Sequence, residues 1–425
     1  MISGEASGDL QGAHLAAQIR RLLPEARIWG VGGRRMTEAG VEVRYDSSTW
    51  SAIGACEAVK VGPRLLRVLL RLGAELRADP PHLLILIDFG FFNVRLARRV
   101  RPRNAKVLYY FPPGSWNRNA GYGRLNGIAD AVVTPFPWSA ERLREEGFHA
   151  EFFGHPLLDV VKPSLSREEF CTRLSLDPDR RIVGLLPGSR AQEIRHNVPA
   201  LLLVAARLRE SFPSVQFVVP LAPSTSASVL AREIARVPWV DVRTPVAAGY
   251  CAALTGERTS FPAIGATARK LLALEGIAEP DQPVVVHLVS DMTHDVLAHA
   301  RAAAVTSGTA TVEAAILDCP MVIFYRGSKL AQLEYNLRGK NIRFIGMPNI
   351  IADRLVCPEL VLGEATPSRI SKLMEGVIAD SPHRAQMLAD LAEVRAMLGP
   401  PGAVEKTARL ALEMIRDAGR LSDPQ

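Results

Sequence analysis

Short apolar runs alternate with longer amphipathic segments along the whole chain. The runs Arg27–Val31, Leu83–Asp88, Lys106–Phe111, Ala131–Thr134, Ile182–Leu186, Gln216–Pro220, Val284–Leu288, Ala302–Thr306 and Met321–Tyr325 have the length and content of buried strands. Between them, apolar residues recur at helical spacing, as in Gly12–Leu23, Pro63–Ala78, Ser139–Glu146, Pro199–Ser211 and Thr311–Leu317. Strands alternating with helices predict an α/β protein with doubly wound parallel sheets. The polar, proline-bearing segment His155–Arg167 reads as a linker. One α/β domain is therefore expected over 1–158 and a second over 159–385, followed by a helical tail, 386–425. Ligands of such sheets bind outside the carboxyl ends of the strands. Two facing domains would put that site in the cleft between them. Two regions break the pattern. The chain opens Met1-Ile2-Ser3-Gly4, so the first strand is short or missing, and 239–283 is poorly periodic and reads as an insertion.

Composition narrows the picture modestly. The chain has 425 residues, 48% hydrophobic and 22% charged, enough for two domains with real cores. Its formal net charge of +7 suits an anionic partner: a phosphorylated substrate, an anionic membrane or nucleic acid. No RRM, KH or zinc-finger signature is present, so nucleic acid is set aside. Five scattered cysteines form no CxxC pair, which argues for free thiols in a reducing cytoplasm and against a zinc site. No run is long enough to span a bilayer, and no signal-peptide pattern opens the chain.

Four loops carry candidate chemistry. After the strand Ala302–Thr306 come Ser307, Gly308, Thr309 and Ala310, then a helix with Glu313 about one turn inside. A helix N-terminus with small residues is a natural seat for phosphate, and Glu313 could accept bonds from sugar hydroxyls. An ordinary cap with a capping-box acid fits the same residues. Ser3-Gly4-Glu5-Ala6-Ser7-Gly8-Asp9 is a second small-residue loop, whose acids Glu5 and Asp9 could bind sugar hydroxyls or simply cap a helix. Gly30-Val31-Gly32-Gly33-Arg34-Arg35-Met36 allows close backbone approach, with Arg34 or Arg35 toward a phosphate. Gly188-Ser189-Arg190 follows the first strand of the second domain, where Arg190 could pair with a diphosphate. Asp88 ends an apolar strand, at the sheet edge where a general base would sit. Finally, Pro63–Ala78 carries Leu65, Leu69, Leu72 and Leu76 on one face and Arg64, Arg67 and Arg71 opposite. Leu66 and Leu70 lie on the flank between, as in a helix that covers a sheet and also meets anionic lipid.

Taken in order and spacing, these motifs resemble the lipid-A-disaccharide synthase family of GT-B glycosyltransferases. The likeness runs from Ser3–Asp9 through Gly32–Met36, Gly154-His155-Pro156-Leu157, Leu185–Arg190, Ser307–Ala315, Pro320–Val322, Tyr325-Arg326 and Met347-Pro348-Asn349 to Leu398–Ala403. The resemblance implies two Rossmann-like domains and an inverting hexosyl transfer. Diacylglucosamine would pass from UDP-2,3-diacylglucosamine to lipid X, with release of UDP and with no metal or cofactor. It implies Asp88 as base and Arg190 and Glu313 as essential residues around the nucleotide. Gly188, Ser189, Ser307, Gly308, Thr309 and Ala310 would complete the nucleotide-sugar site. Glu5, Ser7, Gly8, Asp9, Arg34 and Asn349 would form substrate loops. It further implies a cytoplasmic protein, peripheral at the inner membrane surface, and points to a homodimer. Two stretches depart from the family pattern. Its Ala-Pro-Asp-Phe-Asn after the base is here Phe89-Gly90-Phe91-Phe92-Asn93, and its Ser-Pro-Ser-Val-Trp-Ala-Trp-Arg is here Pro112–Asn119. The alternatives are a paralogue using another UDP-sugar or lipid acceptor, and a non-catalytic nucleotide- or lipid-binding protein.

Overall fold

The computed structural model describes residues 1–47, 50, 55–100, 105–221, 227–234, 240–243, 284–327 and 343–417. The chain divides into two compact units, Met1–Val160 with Leu398–Gln425, and Val161–Met397.

Among the described residues, seven strands build the first unit: β1 (Ile2–Ser3), β2 (Trp29–Gly32), β3 (Glu42–Asp46), β4 (Leu83–Ile87), β5 (Lys106–Tyr110), β6 (Ala131–Val133) and β7 (Ala150–Glu151). Every pairing is parallel, in the order β3-β2-β1-β4-β5-β6-β7. The near-continuous apolar runs are explained by burial on both faces. Leu84, Leu86, Val107 and Tyr109 enter one core layer with Leu72, Leu76 and Phe92. Their strand neighbours Ile85, Ile87, Leu108 and Tyr110 enter the other layer with Leu15, Ile19 and Met36. The first strand is indeed short, with two residues, and both are buried.

The second unit has the strands β8 (Ile182–Leu186), β9 (Gln216–Leu221), β10 (Val240–Arg243), β11 (Val284–Ser290), β12 (Ala302–Thr306), β13 (Met321–Tyr325) and β14 (Glu359–Val361). They pair in parallel in the order β10-β11-β9-β8-β12-β13-β14. Both sheets are doubly wound. In such sheets the crevice lies where the strand order reverses. That point falls between β1 and β4 in the first unit and between β8 and β12 in the second.

Several elements differ from their sequence reading. The strands β3, β7 and β14 carry too few apolar residues, or are too short, to stand out; β3 reads Glu-Val-Arg-Tyr-Asp and is only partly buried. The helix expected from Pro199 begins at Ala191 and carries Pro199 inside it. A proline commonly opens a helix, but here the start is set earlier, by a carboxylate at residue 193. The expected insertion lies outside the described residues except for β10. The tail residues fall in both units. The helix Pro382–Met397 belongs to the second, whereas Ala403–Asp417 lies on the helix Ala6–Leu22 of the first, with Val404, Ala408, Ala411 and Leu412 in its core.

The Gly-His-Pro-Leu motif is the dock for that returning segment. The His155 N–H donates to Leu398 O at 2.7 Å. The Asp159 carboxylate accepts from Gly402 N–H at 2.5 Å and Val404 N–H at 2.9 Å, capping the last helix. The His155 imidazole is buried, and Nδ1 accepts from Leu157 N–H at 3.2 Å. Burial pushes its pKa down to about 3.

Candidate active site

In the first unit, Asp88 follows β4 immediately, on the strand beside β1, with Ser3 opposite Ile87. The chain turns there through two consecutive left-handed residues, Asp88 (φ 47°) and Phe89 (φ 46°). Such a conformation is unfavourable for residues with a β-carbon unless the surroundings enforce it. Three bonds do so. Asp88 N–H donates to Tyr110 O at 3.0 Å, and Asp88 O accepts from Tyr109 Oη at 3.0 Å and Asn93 Nδ2 at 2.8 Å. Asn93 is fully buried and also reaches Ile87 O at 3.2 Å and Ile2 O at 3.4 Å, so one side chain gathers the ends of β1 and β4. Phe89 packs across Gly4, where a β-carbon would stand 2.2 Å from the ring. The turn is thus held by main-chain bonds of Asp88 and by neighbouring side chains. Burial, followed by the nearness of Asp88, pushes the Tyr109 phenol pKa well up, so this tyrosine stays protonated.

The Ser3–Asp9 loop opens the helix Ala6–Leu22 beside this turn. Gly8 and Ser3 pack closely, Ser7 is half-buried and Glu5 is the N-cap residue. Asp9 takes the capping alternative, on a helix other than its own. Its Oδ1 accepts from Gly33 N–H at 2.6 Å and Met36 N–H at 3.2 Å, and its Oδ2 from Arg35 N–H at 3.1 Å. It therefore caps the short helix Arg34–Glu38 from a neighbouring helix, satisfying amides that a phosphate would otherwise need. Arg34 is exposed and pairs with Glu38 at 2.6 Å.

In the second unit, the loops after β8 and β12 emerge side by side, since Leu186 pairs with Val305. Buried Asn197 stitches them. Its Nδ2 donates to Pro187 O at 2.7 Å and to Thr306 Oγ1 at 3.0 Å, while Thr306 Oγ1 donates to Leu186 O at 2.9 Å. Gly188 (φ 95°) makes the turn, and a β-carbon there would stand 2.3 Å from Glu193 Oε2. The buried Glu193 carboxylate accepts from Ser189 N–H at 2.9 Å and Arg190 N–H at 3.1 Å, and it holds the Arg190 guanidinium at 3.0 Å. This residue carried no role in the sequence reading, although its place three residues after the N-cap is the capping-box spacing. Consequently, the Ser189 and Arg190 amides are already engaged, and what Arg190 offers a ligand is its half-exposed guanidinium, oriented by Glu193.

After β12, Ser307 Oγ donates to Ile345 O at 2.7 Å, and Thr311 Oγ1 donates to Gly308 O at 2.7 Å while accepting from Met347 N–H at 3.2 Å. Gly308 and Thr309 are exposed, and among the described residues nothing lies within 4 Å of a β-carbon built on Gly308. Ala310 starts a helix of seven residues, too short for a large macrodipole, so local groups dominate. Glu313 is mostly buried on it, with His294 Nε2 at 3.9 Å, a residue the sequence did not single out. The Asn349 side chain, expected in a substrate loop, is buried and spent on the scaffold. Its Oδ1 accepts from Val356 N–H at 2.7 Å and Cys357 N–H at 2.8 Å, and its Nδ2 donates to Cys357 O at 2.8 Å and Glu359 Oε1 at 2.5 Å. An amide side chain has two donors and two acceptor lone pairs. All four are used, which leaves Asn349 nothing for a substrate.

The family model described as lipid-A-disaccharide synthetase matches residues 1–243 and 261–410. The chain belongs to the lipid-A-disaccharide synthase family. A lipid-A-disaccharide synthase of Geobacter sulfurreducens is 35% identical over 98% of this chain and 96% of its own length, and one of Acidobacterium capsulatum is 34% identical over 99% and 97%. One of Coxiella burnetii is 31% identical over 98% of each. Among solved structures, S. aureus MnaA in its UDP co-structure aligns with a TM-score of 0.56 at 10% identity, over 98% of this chain and 96% of that one. A UDP-GlcNAc 2-epimerase from Neisseria meningitidis bound to UDP-GlcNAc aligns with a TM-score of 0.53 at 12% identity, over 96% and 97%. At that identity the likeness speaks for the GT-B fold. Family membership makes the chain a hexosyltransferase.

Among the described residues no helix is long and apolar enough to cross a membrane, and no cluster of three or more His, Cys, Asp or Glu could hold a metal ion.

Proposed function

We propose that this protein transfers diacylglucosamine from UDP-2,3-diacylglucosamine to lipid X, inverting the anomeric centre and releasing UDP. The observation that carries this reading is the position of the family's three key residues. Asp88 stands at the strand-order reversal of the first sheet, and Arg190 and Glu313 lie on the loop after β8 and the helix after β12, the two strands that flank the reversal of the second. In this mechanism the acceptor hydroxyl attacks the anomeric carbon while Asp88 takes its proton. The bond to UDP breaks on the opposite face, and the guanidinium of Arg190 neutralises charge on the departing diphosphate. Glu313 accepts bonds from the ribose. The open Gly308–Thr309 loop admits the nucleotide, with Ser189, Gly188, Ser307 and Ala310 as its near walls.

The direct test is UDP release by the purified protein with UDP-2,3-diacylglucosamine and lipid X, run beside a panel of other sugar and lipid acceptors. Turnover with lipid X above the panel supports the reading. Binding of UDP without its release from this pair would reduce the protein to a binder, and preference for another acceptor would make it a paralogue.

Acting on such lipids calls for contact with the inner membrane surface. The support here is the helix Ala55–Ala78, where Leu66 is 56% and Leu70 41% exposed beside a row of arginines. Replacing both leucines by serine should lower co-sedimentation with anionic vesicles while leaving thermal stability unchanged. Cytoplasmic residence and a homodimer follow from the same family reading, and light scattering at assay concentration tests the dimer.

A further inference from the structure

The two sheets close their strand-order reversals with the same device. In each unit a helix follows one of the two strands that border the reversal, Gly90–Val100 after β4 and Ala191–Ser211 after β8. Each helix carries a fully buried asparagine, Asn93 in the first and Asn197 in the second. The amide nitrogen of each spans its own reversal. Asn93 Nδ2 donates to Ile87 O at 3.2 Å, on β4, and to Ile2 O at 3.4 Å, on β1. Asn197 Nδ2 donates to Pro187 O at 2.7 Å, just past β8, and to Thr306 Oγ1 at 3.0 Å, at the end of β12. Main-chain carbonyl oxygens can only accept, so chemistry fixes both amides with nitrogen toward the strands. In both, Oδ1 is buried with no hydrogen-bond partner among the described residues. A buried acceptor left without a partner is costly, and leucine would fill the same space without that cost. Packing therefore does not account for asparagine at these two positions; the donor does. At a reversal the chains leaving the two strands run to opposite faces of the sheet, so nothing local holds their ends together.

We infer that Asn93 and Asn197 are positioning residues, each a clamp that sets the crevice end of its sheet for the glycosyl transfer proposed above, on which reading their purpose rests. Asn93 also donates to Asp88 O at 2.8 Å. It thereby fixes the direction in which the Asp88 side chain leaves its turn. Asn197 acts through Pro187 and Thr306, whose chain neighbours are Gly188–Arg190 and Ser307–Gly308. It thereby fixes the two donor loops against each other. Neither needs to touch a substrate. Displacing a reacting group by roughly 1 Å can cost on the order of 100-fold in rate. The two clamps serve different partners, so their loss gives a crossed pattern: Asn93 governs turnover and Asn197 governs the hold on the nucleotide.

The experiment joins UDP-binding calorimetry to steady-state UDP release, with the full chain and the acceptor that turns over fastest in the panel above. Asn93→Ala should lower kcat by about 10–100-fold and leave the Kd for UDP unchanged. Asn197→Ala should raise that Kd by about tenfold, the worth of one weakened charge-assisted bond to the diphosphate. A variant that is only part-unfolded keeps the parent Kd and binds fewer UDP per chain, so stoichiometry separates damage from positioning. Aspartate tests the donor itself. An ionised carboxylate cannot donate to a carbonyl, but burial favours the protonated acid, which can donate once. Asn197→Asp should therefore bind UDP as weakly as Asn197→Ala at about pH 8 and regain affinity toward about pH 6, each compared with the parent at the same pH. Parental kcat and Kd in the alanine variants, or a loss of stoichiometry alone, would overturn the positioning role. A deficit in Asn197→Asp that ignores pH would overturn the donor as its basis. If the parent releases no UDP with any acceptor, the transfer reading fails and the role of Asn93 with it, while the UDP affinity of Asn197→Ala still decides the other clamp.

Discussion

Asp88→Asn separates chemistry from scaffolding at the proposed base. The Asp88 main chain makes the bonds to Tyr110, Tyr109 and Asn93, none of which passes through the carboxylate. Asparagine tolerates the left-handed φ of 47° about as well as aspartate does. Asparagine also keeps the size and shape of the side chain, so the substitution should leave the fold as it is while it removes the proton acceptor. Losing a positioned general base costs about 10²–10⁴-fold in rate, or roughly 3–5 kcal/mol of barrier. We expect kcat for UDP release to fall by that factor, with the donor KM little changed because the nucleotide residues lie in the other unit. Asp88→Ala is the instructive contrast. It loses the same base and adds roughly 1 kcal/mol of left-handed strain, so its melting temperature should drop while that of Asp88→Asn holds. If Asp88→Asn turned over within tenfold of the parent while remaining folded, Asp88 would not be the base. If instead both variants melted early, the Asp88 side chain would itself be part of the scaffold.

Other expected outcomes follow from the same geometry. Asn349→Ala strips partners from two buried amides, a carbonyl and the Glu359 carboxylate; at about 1–3 kcal/mol per orphaned group, it should lower the urea midpoint sharply, and a folded variant that merely lost substrate affinity would contradict the structural assignment. Glu193→Ala removes the residue that holds the 188–190 turn and aims the Arg190 guanidinium, so kcat/KM should fall by about 10–100-fold. Glu193→Gln retains an acceptor for the amides and should lose less; equal kinetics for parent and Glu193→Ala would remove Glu193 from any positioning role. His155 predicts an acid-side loss of stability. Its pKa is near 6.5 when unfolded and about 3 in the fold, so its contribution is complete above the unfolded value and declines as pH falls from there toward the folded one. The slope is about 1.4 kcal/mol per pH unit. Burial also lowers the pKa of His196 and His287, in the other unit. The difference in acid slope between parent and His155→Gln isolates the His155 part, and identical slopes would show that His155 is not the source.

How much of this was legible in the chain depends on the range of the interaction that fixes each feature. Strands buried on both faces announce themselves as apolar runs, because each residue must satisfy one core layer or the other; hence β8, β12 and β13 have the bounds read from sequence alone. Edge strands such as β3 do not, since half of their residues face water and can be charged. Asp88 was visible because a carboxylate closing an apolar strand is locally odd. So were Arg190 and Glu313, each set after a strand and a small-residue turn.

Tertiary structure decided what those side chains are committed to. Asp9 and Asn349 look like ligand-binding groups in a linear motif, yet their oxygens go to amides 24 to 27 and 7 to 8 residues away, respectively, and no local pattern specifies such partners. Asn197 joins two loops by bonds spanning 10 and 109 residues. Periodicity, a local property, determined the fold class, and strand-end chemistry, also local, singled out the polar residues proposed for the candidate site. Which polar groups remain for a ligand and which are spent on the scaffold is set by hydrogen bonds between distant segments, and those exist only once the sheets have formed.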